Sequence, residues 1–233
     1  MNTKITVMLL IIAAVLSAPL TYASVVINGT RFIYNEKDKE ITVKLTNNGD
    51  FPVLIQSWLD KGNQSAKPDN IDVPFAIYPP INRINARQSK TIKIRYTGAI
   101  LPSDRESVFW LNVHEVPVKS ELKDRSYLQF AFRSRLKLFY RPASMAGKAD
   151  DAQKSLVWSC SSTTCEVKNN SGFYVSLVEF ERVNGNRRIR QGAEMISPYN
   201  SMLIKLNQAS SGGQISYTYL NDWGAIKTQS YGK

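Results

Sequence analysis

Few side chains in this sequence could do covalent or metal chemistry. There is one histidine, His114, and there are two cysteines, Cys160 and Cys165. A Ser-His-Asp or Cys-His enzyme would rest wholly on that single imidazole. A Cys/His zinc site, or a metalloenzyme on a β scaffold such as a superoxide dismutase, would need more ligands of this kind. The chain is therefore expected to be no enzyme and to hold no metal and no cofactor. Only Ser161–Thr164 separates the two cysteines, which suits a structural disulfide across a tight hairpin; a redox-active pair would more often be Cys-x-x-Cys. What the chain has in quantity is positive charge. It carries 30 Lys+Arg against 19 Asp+Glu over 233 residues, a formal net charge of +11. Taken alone, that excess points to an anionic partner: nucleic acid, a membrane surface or carboxylates.

The N-terminus narrows the choice. Lys4 precedes a mostly apolar run from Ile5 to Leu16, and Thr21-Tyr22-Ala23 offers small residues for cleavage. This is the pattern of a secretory signal, residues 1–23, cut after Ala23. The apolar run falls short of the roughly 20 residues needed to span a bilayer. The mature chain is expected to be exported, basic and not inserted in a membrane. Export argues against nucleic acid as the partner and turns attention to carboxylates and envelope surfaces.

The elements that must carry these charges are strands. Short alternating runs, rich in β-branched and aromatic residues, cover Ser24–Tyr34, Glu40–Thr46, Val53–Leu59, Thr91–Tyr96, Ser107–Val113 and Tyr127–Tyr140. Turn formers such as Asn47-Asn48-Gly49-Asp50 and Tyr78-Pro79-Pro80 punctuate them. A polar stretch without apolar alternation follows Pro142, and the strand rhythm resumes at Leu156. Evenly spaced strands without crossover helices predict an all-β chain of two immunoglobulin-like sandwiches. The expected division is a first domain over 24–142, a linker over 143–154 and a second domain over 155–233.

One segment is unusually long. Tyr127–Tyr140 alternates throughout, with Leu128, Phe130, Phe132, Leu136 and Leu138 on one face and Arg133, Arg135 and Lys137 on the other. It is either a core strand with a basic solvated face, or a strand whose apolar row extends past its own core and is offered to a partner for β-augmentation. Period-two alternation fits both.

Residues outside that periodicity carry a family resemblance. Leu101-Pro-Ser-Asp-Arg-Glu-Ser-Val-Phe-Trp-Leu-Asn-Val-His-Glu-Val-Pro117 resembles the signature of the pilus-assembly chaperones of the chaperone–usher pathway. The matching positions are Asp104-Arg105-Glu106-Ser107, Asn112 and Val116-Pro117. Leu136-Lys-Leu-Phe-Tyr-Arg-Pro142 resembles the end of that family's first domain, and Tyr219-Leu-Asn-Asp-Trp-Gly224 a late motif of its second. The short span Val118–Ser126 is similar to the subclass with a short loop there.

The resemblance implies two immunoglobulin-like domains set as a boomerang with a cleft between them, working in the periplasm. It implies a chaperone that lends a strand to a fimbrial subunit and passes that subunit to an outer-membrane usher. It places the anchor for the subunit's C-terminal carboxylate on Arg31 and Lys137, and the donated apolar row on Leu128, Phe130 and Phe132. Glu106, Arg141 and Asp222 match its inter-domain ion network. Because exposed apolar rows invite aggregation, self-capping as a dimer is expected of the free protein. The alternative is a structural fimbrial subunit or adhesin, but such a chain would carry an N-terminal donor extension and one incomplete domain. Asn28-Gly29-Thr30 is a formal glycosylation sequon, read as a chance match.

Overall fold

A computed structural model describes residues 25–69, 71–116, 131–145, 147–209 and 212–231. Strands with one apolar face can bury it only against another such face, so paired sheets are the expected outcome. The first half of the chain supplies β1 (Val25–Ile27), β2 (Arg31–Asn35), β3 (Ile41–Asn47), β4 (Val53–Asp60), β5 (Phe75–Tyr78), β6 (Ile81–Ile84), β7 (Ser89–Tyr96), β8 (Ser107–Val116) and β9 (Arg133–Arg141). They form two sheets, ordered β1-β3-β7-β5 and β2-β9-β8-β4-β6. Val43, Leu45, Ile92 and Ile94 from the first share one core with Ile55, Leu111 and Leu138 from the second. Tyr34, Phe75, Tyr96 and Tyr140 add a ring cluster, with Tyr96 and Tyr140 centroids 4.7 Å apart.

The run Ser24–Tyr34 reads as one strand in the sequence, and the fold makes it two. β1 pairs antiparallel with β3 in one sheet, whereas β2 pairs parallel with β9 in the other. The chain changes sheets at Asn28-Gly29-Thr30. There the Asn28 N–H donates to the Lys44 carbonyl at 3.1 Å, and Asn28 Oδ1 accepts from the Lys44 N–H at 2.9 Å. Alternation says which face of a strand is buried and nothing about its partner, so the crossing has no signal in the periodicity.

The stretch after Pro142 contains a short helix, α1 (Ala149–Lys154), where no apolar alternation was present. Ala149 and Ala152 pack on Phe173, and the Gln153 carbonyl accepts from Tyr217 Oη at 3.0 Å. The second domain follows with β10 (Val157–Cys160), β11 (Thr164–Lys168), β12 (Val175–Asn184), β13 (Arg187–Gly192), β14 (Met195–Ile196), β15 (Ser201–Lys205), β16 (Gln214–Leu220) and β17 (Ile226–Tyr231). Its sheets run β10-β11-β15 and β13-β12-β16-β17, with β14 also on β12. Trp158, Phe180 and Tyr217 stack in its core, both ring pairs with Trp158 at 5.5 Å. Cys160 and Cys165 are register partners across the β10–β11 hairpin and are bonded as a disulfide. Buried Arg182 donates to the Ser161 and Gly212 carbonyls, holding the tip of that hairpin.

The domains meet through backbone as well as side chains. The Glu106 N–H donates to the Gly172 carbonyl at 2.8 Å. A Cβ on Gly172 would lie 2.7 Å from the Asp104 carbonyl oxygen. Gly172→Ala is expected to cost about 1–3 kcal/mol by crowding two backbones that have no slack. Thermal unfolding checks the cost, and solution scattering checks the accompanying change in the domain arrangement.

Candidate functional site in the inter-domain cleft

β2 is an edge strand held parallel to β9, and this pairing sets Arg31 directly opposite Lys137. Register partners present side chains on the same sheet face, so two cations from distant parts of the chain stand side by side. Their face is the one opposite the first core. Along β9, Leu136, Leu138 and Tyr140 join that core, while Arg135, Lys137, Phe139 and Arg141 point the other way. The second domain closes on that outer face. The Phe139 and Tyr174 rings lie 5.6 Å apart, and Arg31 Nη1 donates to Ser176 Oγ at 3.0 Å and the Leu220 carbonyl at 3.3 Å.

The electrostatics of the pair are unbalanced. Among the described residues neither Arg31 nor Lys137 forms an ion pair, and Arg31 Nε is buried without a hydrogen-bond partner. Burial pushes the Lys137 ammonium below its ordinary pKa, the Arg31 charge pushes it the same way, and Glu194 opposes both. Burial likewise lowers Arg31, with Asp222 opposing. Two neighbouring, partly desolvated cations are an arrangement that a nearby anion would stabilise. A groove of about 480 Å³ between the domains, lined by Arg31, Ile33, Asn35, Arg141, Asp222 and Trp223 among others, opens beside Arg31.

Arg141, the last residue of β9, lies between two carboxylates. Its Nη2 is 2.7 Å from Glu106 Oε1 and its Nη1 is 2.9 Å from Asp222 Oδ2. Glu106 comes from the first domain and is only 4% exposed. Its Oε2 also accepts the Tyr174 N–H at 2.8 Å. Burial raises the Glu106 pKa, and Arg141 and the Tyr174 N–H hold it down. For Arg141, burial is outweighed by Asp222 and Glu106, which hold its pKa above the usual value. The three residues of the expected network are thus in contact, linking the residue before β8, the end of β9 and the loop after β16.

Of the apolar row, Phe132 sits just before β9 and is 65% exposed. Its carbonyl accepts the Glu115 N–H at 2.8 Å. Leu128 and Phe130 lie outside the described residues, as do the signal segment and the short span 118–126. His114, near the end of β8, is in edge contact with Trp58 at 6.2 Å. Among the described residues there is no group of three or more His, Cys, Asp or Glu that could hold a metal, and no helix is long and apolar enough to cross a membrane.

Sequence reasoning missed a second polar cluster on this face. Arg135 forms a bidentate pair with buried Asp60. Asp60 also accepts from Asn112 Nδ2 at 2.7 Å and the Gly62 N–H at 2.6 Å. Arg135 lies over the Trp110 ring at 4.5 Å, and Lys137 over the same ring at 5.4 Å. The one hint in the sequence was a charged Asp60 ending an otherwise apolar run before a Lys-Gly-Asn turn.

Residues 24–146 match the family described as "Pili and flagellar-assembly chaperone, PapD N-terminal domain", and residues 151–231 match "Pili assembly chaperone PapD, C-terminal domain". The chain belongs to the pilus-assembly chaperone family. As such it is a non-enzymatic assembly chaperone with the two-domain fold of that family. It is 38% identical to "Probable fimbrial chaperone YadV" of Escherichia coli, over 96% of this chain and 95% of that one. The CupB2 chaperone of Pseudomonas aeruginosa superposes with a TM-score of 0.77 at 32% identity, covering 88% of this chain and 98% of that one. The SafB chaperone of Salmonella enterica, solved in complex with the SafA pilin, superposes with a TM-score of 0.77 at 27% identity, covering 91% and 98%. A chaperone with two strand-complete domains is what these likenesses fit; a structural subunit or adhesin is not.

Proposed function

We infer that this chaperone holds fimbrial subunits in the periplasm by anchoring their C-terminal carboxylate on Arg31 and Lys137 and lending them the segment that leads into β9. The observation that carries this reading is the Arg31–Lys137 register across β2 and β9, two partly buried cations without an ion pair among the described residues. A chain-terminal carboxylate is the complementary charge, and charge-assisted hydrogen bonds to it are about twice as strong as neutral ones. Arg supplies a planar fork and Lys a compact charge. With the terminus fixed there, a subunit segment running along the strand has its register set, because strand side chains alternate with period two. Leu128, Phe130 and Phe132 are the donated row on this reading, and main-chain pairing supplies the rest of the affinity.

Arg141, bridging Glu106 and Asp222, sets the angle at which the second domain closes the cleft. A largely buried ion network of this kind is poor evidence for stability and good evidence for geometry. The exported chain loses residues 1–23 after Ala23. It passes its subunit to an outer-membrane usher, and when empty it covers the apolar row against a second copy, since unpaired edges aggregate.

Phe132 provides a test. Phe132→Asn is expected to reduce subunit co-purified from the periplasm about ten-fold, the loss of roughly one ring's burial in the complex. The chaperone's own melting temperature should move by no more than about 1–2 °C, because an exposed ring contributes little to the free fold. A large fall in melting temperature with unchanged capture would make the ring part of the chaperone's core and refute the donor assignment.

A further inference from the structure

The two anchor cations are the first members of a longer row. Arg31 on β2 pairs with Lys137 on β9, Lys137 pairs with Trp110 on β8, and Trp110 pairs with Asp60 on β4. All four side chains therefore share the cleft face, in the order cation, cation, ring, carboxylate. Asp60 is the carboxylate on this row to which the Lys137 ammonium could turn. It is already occupied by Arg135, Asn112 and the Gly62 N–H, and the indole of Trp110 stands between.

We propose that Trp110 is a positioning residue for the carboxylate anchor: its ring face holds the Lys137 ammonium in the cleft without neutralising it. The proposal rests on the reading of Arg31 and Lys137 as the anchor. An ammonium within about 6 Å of an indole centroid is attracted by the ring quadrupole, more strongly where water is thinned. Lys137 Nζ is 5.4 Å from that centroid, within the range. Burial and the adjacent guanidinium both work against a charged lysine on a flexible stem. A carboxylate neighbour would offset that cost but would compete with the incoming terminus. A ring offsets part of it and leaves the full charge for the ligand. Arg135, over the same ring at 4.5 Å and closed onto Asp60, fixes the indole in place from its other neighbour on β9.

The test uses the full-length mature chaperone and a nonapeptide of alternating threonine and valine, prepared as the free acid and as the C-terminal amide. The ratio of the two affinities isolates the anchor from main-chain pairing. Trp110→Leu is expected to lower the acid-to-amide ratio roughly five- to ten-fold with amide binding within about two-fold, and Trp110→Phe to lose only about two- to three-fold. In a Lys137→Ala background, Trp110→Leu should change the ratio no further. Should the leucine variant fail to fold, the same cycle run with Trp110→Phe decides the question. Equal losses for acid and amide, or an undiminished loss in the Lys137→Ala background, would reduce the ring to a packing role and overturn the proposal. A wild-type protein that binds acid and amide alike refutes the anchor reading itself. That outcome is distinct, since a failure of the Trp110 role alone leaves the wild-type preference intact and Lys137→Ala still lowers it, the remainder being supplied by Arg31.

Discussion

Lys137→Ala is expected to lower capture of the cognate subunit about 100-fold, the scale for deleting one member of a desolvated charge contact. The fold should not suffer. Lys137 is pushed below its ordinary pKa by burial and by Arg31, so removing it relieves both a desolvation cost and a like-charge contact. The variant's melting temperature should equal or exceed that of the parent chain. Arg31→Ala should abolish capture as well, but with a lower melting temperature, because its guanidinium also donates to Ser176 and to the Leu220 carbonyl across the domain boundary. Co-purification from periplasm and thermal unfolding of the isolated chaperones check both halves. Capture retained by both variants would remove the carboxylate anchor from the mechanism.

Arg141→Ala should damage the free protein itself. Glu106 is held at 2.7 Å by Arg141 in a site that leaves it almost no water. Withdrawing the guanidinium strands a buried carboxylate, which costs about 3–5 kcal/mol in comparable settings. The domain angle should also broaden, because the contact from β9 to Asp222 is lost with the same side chain. The pH dependence has a definite sign. The folded-state pKa of Glu106 already lies above its ordinary value of 4.5, chiefly through burial, and loss of Arg141 moves it further up. A folded acid with a raised pKa binds protons more readily than the unfolded chain, so its penalty is full above the folded value and fades as pH falls through it. The deficit of Arg141→Ala should therefore shrink on acidification from neutral pH, and Glu106→Gln in that background should remove most of the pH dependence. Chemical unfolding across that pH range, with solution scattering at its ends, measures both effects. A deficit that grows on acidification would mean that Glu106 is not the group responsible.

The strand content, the two-sandwich division and the family were legible because each leaves a local trace. Val43, Leu45, Ile92 and Ile94 alternate with polar neighbours and all reach zero exposure. The motif around Glu106 and the Leu136–Pro142 block each lie within a short span of chain. Other features had no such trace. Arg31 and Lys137 meet because β2 runs parallel to β9, and neither strand's pattern names its neighbour. The change of sheet at Asn28-Gly29-Thr30 is invisible for the same reason, since alternation reports a buried face and not a partner. The helix Ala149–Lys154 escaped because two alanines suffice to dock it on Phe173, too small an apolar stripe to stand out. Gly172 shows its importance only against the Asp104 carbonyl, from the other domain.

The opening inventory was one histidine, two cysteines and a large surplus of lysine and arginine. In the sequence, one histidine and two cysteines made a metal or nucleophilic enzyme a poor expectation, and the basic surplus pointed to an anionic partner. Which of the 30 cations are brought together and partly buried was decided by tertiary structure. Among the described residues, others are exposed and paired with a nearby carboxylate, as Lys93 and Arg95 are with Glu40. Arg31 and Lys137 are partly buried and, among the described residues, form no ion pair; Asp60, on the same row, is occupied by Arg135 with Trp110 standing between. Burial and partner identity arise from contacts between segments far apart in the chain, and those exist only once the sheets have closed.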